Sequence, residues 1–324
     1  MSESTAMAAL TGTTHALVFP GQGSQFVGMG RALYDASPAA RRTFDEADQL
    51  LGFPLSGLCF DGPADELEYT WNSQSAIFVA SVAALRALDE TLAVQGARLN
   101  PAAVAGHSLG EFTALFYAGV MDFAETLRVV RERGRLMKEA GGEAPGGMAA
   151  VLGLERDALE ADCARARSEG IILVANDNCP GQLVISGEIA PLTAAMQYAK
   201  DAGAKRVARL GISIASHSPL MQHASGQLAR LIAQQPMNPP RVPVIANASG
   251  DPLTTVEQVR AELEHHVENP VNWTTSIRRM AGMGVTTFIE IGPGSILSGL
   301  IKRIERDATL LGLADFGLPV DGKR

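Results

Sequence analysis

Cysteine is scarce. Cys59, Cys163 and Cys179 are the only three, an odd number and widely spaced, with no Cys-x-x-Cys and no histidine pair nearby at metal-ligand spacing. A disulfide framework and a structural zinc site are therefore not expected. Positive charge is also short: 27 Lys and Arg stand against 35 Asp and Glu, a formal net charge of −8. No overall positive field draws nucleic acid or an anionic membrane. Long apolar runs are missing too, since no stretch approaches the roughly 18 uninterrupted apolar residues of a membrane-spanning helix. Residues 1–14 lack the basic n-region of a secretory signal. They read as a short, mobile Ser/Thr/Ala-rich tail, and the chain as a soluble, cytoplasmic protein.

What is present suits a packed protein. At 46% hydrophobic and 19% charged residues the chain is too apolar for disorder, and 324 residues make about two domains. Short apolar runs at 15–19, 102–105 and 285–291 each stop at a glycine or Pro-Gly turn. Helical segments follow, notably at 109–118 and 295–305, and strand, glycine turn, helix repeated along a chain predicts an α/β fold with a largely parallel sheet. The middle reads as strand 148–154, helix 156–169, strands 171–176 and 182–186, helix 189–202 and strand 205–210. That β-α-β-β-α-β order is the ferredoxin-like split unit. It follows Gly141-Gly142-Glu-Ala-Pro145-Gly146-Gly147, a composition typical of a boundary. The expected organisation is a tail at 1–14, a large discontinuous domain at 15–141 and 210–324, and a small domain inserted at 142–209.

Gly106-His107-Ser108-Leu109-Gly110 has the Gly-x-Ser-x-Gly pattern of a nucleophile elbow, placed between a small-residue strand and a helix. The serine oxygen would project from the apex, with the Leu109 amide at the helix start facing a developing oxyanion. Such a serine needs a base. Of six histidines, His15 borders the tail, His107 lies across the elbow backbone, His223 is on a helix and His265 at a polar helix end. His217 closes the strand-like run Ile212–Ser216 and is the better candidate, against the plain reading of a polar loop residue.

Asp122 with Glu125 three residues on marks a capped helix at 122–138. Leu127, Val130, Gly134 and Met137 share its buried face, flanked by Arg131 and Arg133. Either arginine could be solvated, or reach into a cleft and clamp a carboxylate through two parallel hydrogen bonds; periodicity does not choose between them. The loop Phe19-Pro-Gly-Gln-Gly-Ser-Gln25 lacks a Gly-Lys-Ser/Thr ending and a Gly-x-Gly-x-x-Gly fingerprint, which argues against phosphate binding. It suits backbone that approaches a site closely and offers an amide such as that of Gln22.

Together these segments resemble malonyl-coenzyme A:acyl carrier protein transacylases and the related acyltransferase domains of polyketide synthases. The resemblance spans about residues 15–306 and rests on the loop at 19–25, Thr70-Trp-Asn-Ser-Gln74, Gly-His-Ser-Leu-Gly-Glu at 106–111, Arg133-Gly134, Ser216-His-Ser-Pro-Leu-Met221, Asn269-Pro-Val-Asn-Trp273 and Glu290-Ile-Gly-Pro-Gly294. It implies an α/β-hydrolase-like large domain with an inserted ferredoxin-like domain and the site between them. By the same resemblance Ser108 aligns with the nucleophile, His217 with its base, Arg133 with the arginine that binds the substrate carboxylate, and the Gln22 and Leu109 amides with the oxyanion hole. The implied reaction is ping-pong transfer of a malonyl group from malonyl-CoA to the phosphopantetheine thiol of acyl carrier protein. It needs no metal and no permanently bound cofactor, and a monomer is expected.

Two positions depart from the family pattern. His266 stands where glutamine commonly helps orient the base; the expectation is that it supports His217 and adds a titration near neutral pH, the alternative being a polar loop residue. Ser75 replaces the usual proline. Ile214-Ala215-Ser216-His217 fits malonyl or methylmalonyl, one methyl being worth about 1–3 kcal/mol, while the other motifs favour malonyl. The rivals are a thioesterase or proofreading hydrolase on carrier proteins, against which Arg133 argues, and a non-catalytic docking module. Lys302, Arg303 and Arg306, or Arg278 and Arg279, are candidate contacts for an acidic carrier protein, in fatty-acid or trans-acting polyketide synthesis.

Overall fold

The computed structural model describes residues 3–322. Ten strands form within that span: β1 (His15–Phe19), β2 (Ala103–Gly106), β3 (Gly146–Leu152), β4 (Ile172–Cys179), β5 (Gln182–Glu188), β6 (Arg206–Arg209), β7 (Val244–Ile245), β8 (Pro252–Leu253), β9 (Thr287–Glu290) and β10 (Thr309–Leu311). Six of them make one sheet in the order β10-β9-β1-β2-β7-β8, parallel from β10 to β7 and closed by antiparallel β8. Every residue of β1 and β2 is buried, because helices cover both faces of such a sheet and leave no polar side to the strands. Phe19 pairs with Gly106. The loops leaving β1 and β2 thus emerge side by side at the carboxyl edge of the sheet, where ligands of open α/β sheets bind.

The other four strands form an antiparallel sheet, β4-β5-β3-β6. Helices Arg156–Ala166 and Ile189–Asp201 cover one face, burying Leu159, Cys163, Ile185, Leu192 and Ala195. The sequence order β-α-β-β-α-β over 146–209 is the one expected. Its outer strand β4 joins the rest of the molecule: Asp177 N–H donates to Val271 O at 2.9 Å, and Thr274 Oγ1 to Asp177 Oδ1 at 2.6 Å.

Two expectations are corrected. The segment 1–14, expected as a mobile tail, is helical over its described part: Glu3–Gly12 is a helix, with Ala6 and Leu10 buried in the main core. Met1 and Ser2 lie outside the described residues, as do Lys323 and Arg324 of the large domain. The glycine-rich stretch 141–147 is not a loop throughout. The capped helix runs on from Phe123 to Glu143, and Gly146-Gly147 open β3, where Gly146 is squeezed: a Cβ there would lie 2.7 Å from Gly187 O. His15 is the buried first residue of β1, the strand expected at 15–19. The three cysteines are buried and unpaired. No helix among the described residues is long and apolar enough to cross a membrane.

Candidate active site

The turn between β2 and helix Gly110–Tyr117 is held by close backbone packing. A Cβ on Gly106 would lie 1.9 Å from Gly110 O, and one on Gly110 2.1 Å from Phe19 O, so both glycines are sterically obligatory. Between them Ser108 takes φ +49°, a left-handed conformation costing roughly 1–2 kcal/mol in a residue with a side chain. Asn247, buried just beyond β7, braces the strained turn from both sides. Its Oδ1 accepts from Ser108 N–H at 2.7 Å, and its Nδ2 donates to Gly106 O at 2.8 Å. Asn247→Ala leaves both backbone groups without this partner, an expected cost of about 2–4 kcal/mol and a drop in Tm of roughly 3–6 °C. A thermal melt reads it, and an unshifted Tm would refute the bracing role.

His217 reaches the serine from the segment after β6. It too has positive φ, +58°, and its backbone N–H donates to Val267 O at 2.8 Å. Nδ1 lies 2.8 Å from Asn269 O. A carbonyl only accepts, so Nδ1 carries the hydrogen and Nε2 is the free acceptor, 2.8 Å from Ser108 Oγ. Burial, and secondarily the charge on Arg133, pull the His217 pKa down to about 3, which keeps the ring neutral with Nε2 open to accept a proton.

His266 meets the expectation of supporting His217 through its main chain, which hydrogen-bonds the His217 ring, and not through its side chain. The partner of His217 Nδ1 is a main-chain carbonyl, and the His266 side chain faces Arg133 and Glu111 instead: its Nδ1 lies 3.3 Å from Arg133 Nε and its Nε2 3.1 Å from Glu111 Oε2. Nor does it titrate near neutral pH, because burial first, then the charge on Arg133, hold its pKa well below the ordinary value.

Arg133, only 1% exposed, is the arginine that faces inward. Its Nη2 donates to Ser108 Oγ at 3.0 Å and its Nη1 to Gln74 Oε1 at 2.7 Å. The helices carrying Arg133 and Gln74 can come this close because Gly134 follows the arginine: a Cβ there would stand 2.6 Å from Trp71 Cα. Burial lowers the guanidinium pKa to about 9, with Glu111 opposing, so it remains charged at neutral pH. Arg131 points elsewhere, its guanidinium 4.6 Å from the Phe53 ring centroid.

Gln22 belongs to the loop that leaves β1. That loop presses on the elbow: a Cβ on Gly21 would lie 2.2 Å from His107 O. The amides of Gln22 and Leu109 donate to no other described residue, which leaves them free for a ligand oxygen. His107 turns away from the serine side, its Nε2 2.8 Å from Asn178 Oδ1 of β4. Gln74, Glu111, Asn247 and the Asn269 carbonyl are the members of this cluster that were not picked out individually from the sequence. Among the basic residues considered for docking, Arg303 is engaged by Gln182 Oε1 and Pro180 O and Arg279 by Asp251.

The chain matches known proteins over nearly its whole length. The family described as acyl transferase domain matches residues 16–314. The malonyl CoA-acyl carrier protein transacylase of Bacillus subtilis (strain 168) is 42% identical over 301 residues, 93% of each protein. The solved structure of an acyl carrier protein S-malonyltransferase from Vibrio cholerae superposes with a TM-score of 0.88 at 39% identity, covering 93% of this chain and 96% of that one. A malonyl-transacylase solved in complex with its type II polyketide synthase acyl-carrier protein gives a TM-score of 0.88 at 38% identity, covering 93% and 96%.

Proposed function

The chain belongs to the acyl transferase domain family, within the malonyl CoA-acyl carrier protein transacylases, and from that premise we propose that Ser108 carries a malonyl group between two thioesters. The observation that supports this most is the double engagement of one oxygen, with His217 Nε2 at 2.8 Å and Arg133 Nη2 at 3.0 Å from Ser108 Oγ. A base explains nucleophilicity. A buried guanidinium at the same atom has no use in ordinary ester hydrolysis, and it selects an acyl group whose own negative charge lies within a few bonds of the reacting carbonyl, as in malonyl.

In the proposed first half-reaction Nε2 of His217 takes the hydroxyl proton as Oγ bonds to the thioester carbon. The amides of Gln22 and Leu109 receive the oxyanion. The tetrahedral adduct collapses by breaking the carbon–sulfur bond, and coenzyme A leaves with the proton from His217. The phosphopantetheine thiol of acyl carrier protein then enters, gives its proton to His217 and attacks the serine ester, and Ser108 recovers its proton as the malonyl thioester departs. A neutral His217 at the start of each half is what both steps require.

Intact-protein mass spectrometry after brief mixing with malonyl-, methylmalonyl- or acetyl-CoA tests the proposal. A malonyl adduct that moves to added holo carrier protein is expected. An adduct that decays equally fast without carrier protein would favour the hydrolase reading, and an equal methylmalonyl adduct would widen the substrate class.

The pH profile gives a second test. A base with the ordinary histidine pKa of about 6.5 loses roughly tenfold in its neutral fraction between pH 7.5 and 5.5. With the His217 pKa lowered to about 3, that loss moves below the whole window, so kcat/KM for malonyl-CoA should vary by less than about twofold across it. A tenfold fall on acidification would refute the neutral buried base.

A further inference from the structure

Arg133, Gln74, His266 and Glu111 form one buried cluster beneath Ser108. A guanidinium has five N–H donors, and three acceptors surround this one: His266 Nδ1 at Nε, Gln74 Oε1 at Nη1 and Ser108 Oγ at Nη2. Each takes one hydrogen and leaves one on Nη1 and one on Nη2. An imidazole nitrogen that accepts is unprotonated, so His266 carries its hydrogen on Nε2, which lies 3.1 Å from Glu111 Oε2 without a hydrogen bond between them. The ring is also wedged by Phe112, edge to face with centroids 5.0 Å apart. A guanidinium can hold a carboxylate by two parallel bonds along the edge that includes Nε or along the terminal edge. Here the Nε edge is already occupied.

We infer that His266, packed against Phe112 and bonded through Nδ1 to Arg133 Nε, is a positioning residue that closes the Nε edge of Arg133 and commits its terminal Nη1/Nη2 edge to the free carboxylate of a short dicarboxylic acyl group. The inference rests on the reading of Arg133 as the carboxylate clamp. It assigns His266 to substrate selection, not to the proton transfer at His217. Gln74 fixes the guanidinium from one side and His266 from the other, so the distance from Ser108 Oγ to the clamping hydrogens is set before substrate arrives. That distance, together with charge, separates malonyl from acetyl.

The test compares His266→Phe, which keeps a ring and removes the acceptor, with His266→Gln, which restores an acceptor oxygen on a flexible side chain. A lost hydrogen bond to a charged group corresponds to about 10–100-fold. His266→Phe is therefore expected to raise KM for malonyl-CoA by about that factor, with a smaller fall in kcat, and to lower the malonyl-to-acetyl ratio of acylation rates in step; His266→Gln is expected to recover most of the loss. Equal losses with malonyl- and acetyl-CoA, an unmoved malonyl KM, or no recovery with glutamine would each overturn the inference. Nitrogen NMR of the labelled imidazole supplies a readout apart from activity, with Nδ1 unprotonated and Nε2 protonated as the expected result and the reverse tautomer a refutation. If the wild-type protein forms no malonyl ester at all, the clamp reading fails first, and the tautomer measurement still decides where His266 holds its proton.

Discussion

Ser108→Ala is expected to form no covalent malonyl adduct and to lower transfer to carrier protein by about a million-fold, the scale seen when a serine nucleophile is removed. That factor equals about 8 kcal/mol of transition-state stabilisation. The substitution is well suited to isolating the chemistry. Alanine keeps the Cβ, keeps the backbone N–H that donates to Asn247 Oδ1, and leaves Gly106 and Gly110 packed as before. The left-handed φ of +49° costs alanine about what it costs serine, so the elbow has no new reason to rearrange. Only Oγ goes, and with it the acceptor of the Arg133 Nη2 hydrogen bond. The freed N–H can turn to the substrate carboxylate, so malonyl-CoA should still bind, and the variant should melt close to wild type. An adduct on Ser108→Ala, found by peptide mapping on another residue, would disprove the role proposed for Ser108.

Much of this arrangement was legible because it is local. The elbow needs two glycines and a serine within five residues, and the steric reason is contained in them and in the strand beside them. The α/β pattern was visible for a similar reason, since fully buried parallel strands such as β1 read as short apolar runs. The partners of the serine were less so. Gln74, Arg133 and His266 come from three separate helices or turns, and their meeting depends on Gly134 letting two helices touch, a contact that periodicity places on a buried face without naming the neighbour. Asn247 follows a strand of two residues, too short to carry any pattern. The support for His217 is harder to see for a more basic reason: it comes from main-chain groups, the carbonyl of Asn269 and the backbone of His266, and a backbone acceptor has no side-chain signature. His266, the natural suspect by position, is turned toward Arg133 because that buried cation needs an acceptor at Nε. The N-terminal helix was missed because its Ser/Thr/Ala composition shows no polar and apolar faces, and among its described side chains only Ala6 and Leu10 are buried.

Arg133→Ala should separate the two acyl donors. Removing one partner of a buried charged contact costs about 2–5 kcal/mol, so kcat/KM for malonyl-CoA is expected to fall by roughly 30- to 5,000-fold. Acetyl-CoA has no carboxylate to pair, and for it the loss should be far smaller. Two further effects act in its favour: the positive charge that helps depress the His217 pKa is gone, and the serine hydroxyl no longer has a cation drawing on its lone pair. The malonyl-to-acetyl ratio is the decisive quantity, because any general damage to the site divides out of it. Damage is a real consideration for a side chain only 1% exposed, whose removal leaves Gln74 Oε1 and His266 Nδ1 without their donor. Arg133→Lys controls for it by retaining charge. An ammonium is a point charge without the planar fork, and it cannot meet Gln74, His266, Ser108 and a carboxylate together, so lysine should recover binding only in part. If alanine lowers malonyl and acetyl acylation by the same factor, the guanidinium is a scaffold for the elbow and not a clamp. If the ratio collapses while acetyl transfer survives, the charge beside Ser108 is what makes this serine chemistry specific for a diacid.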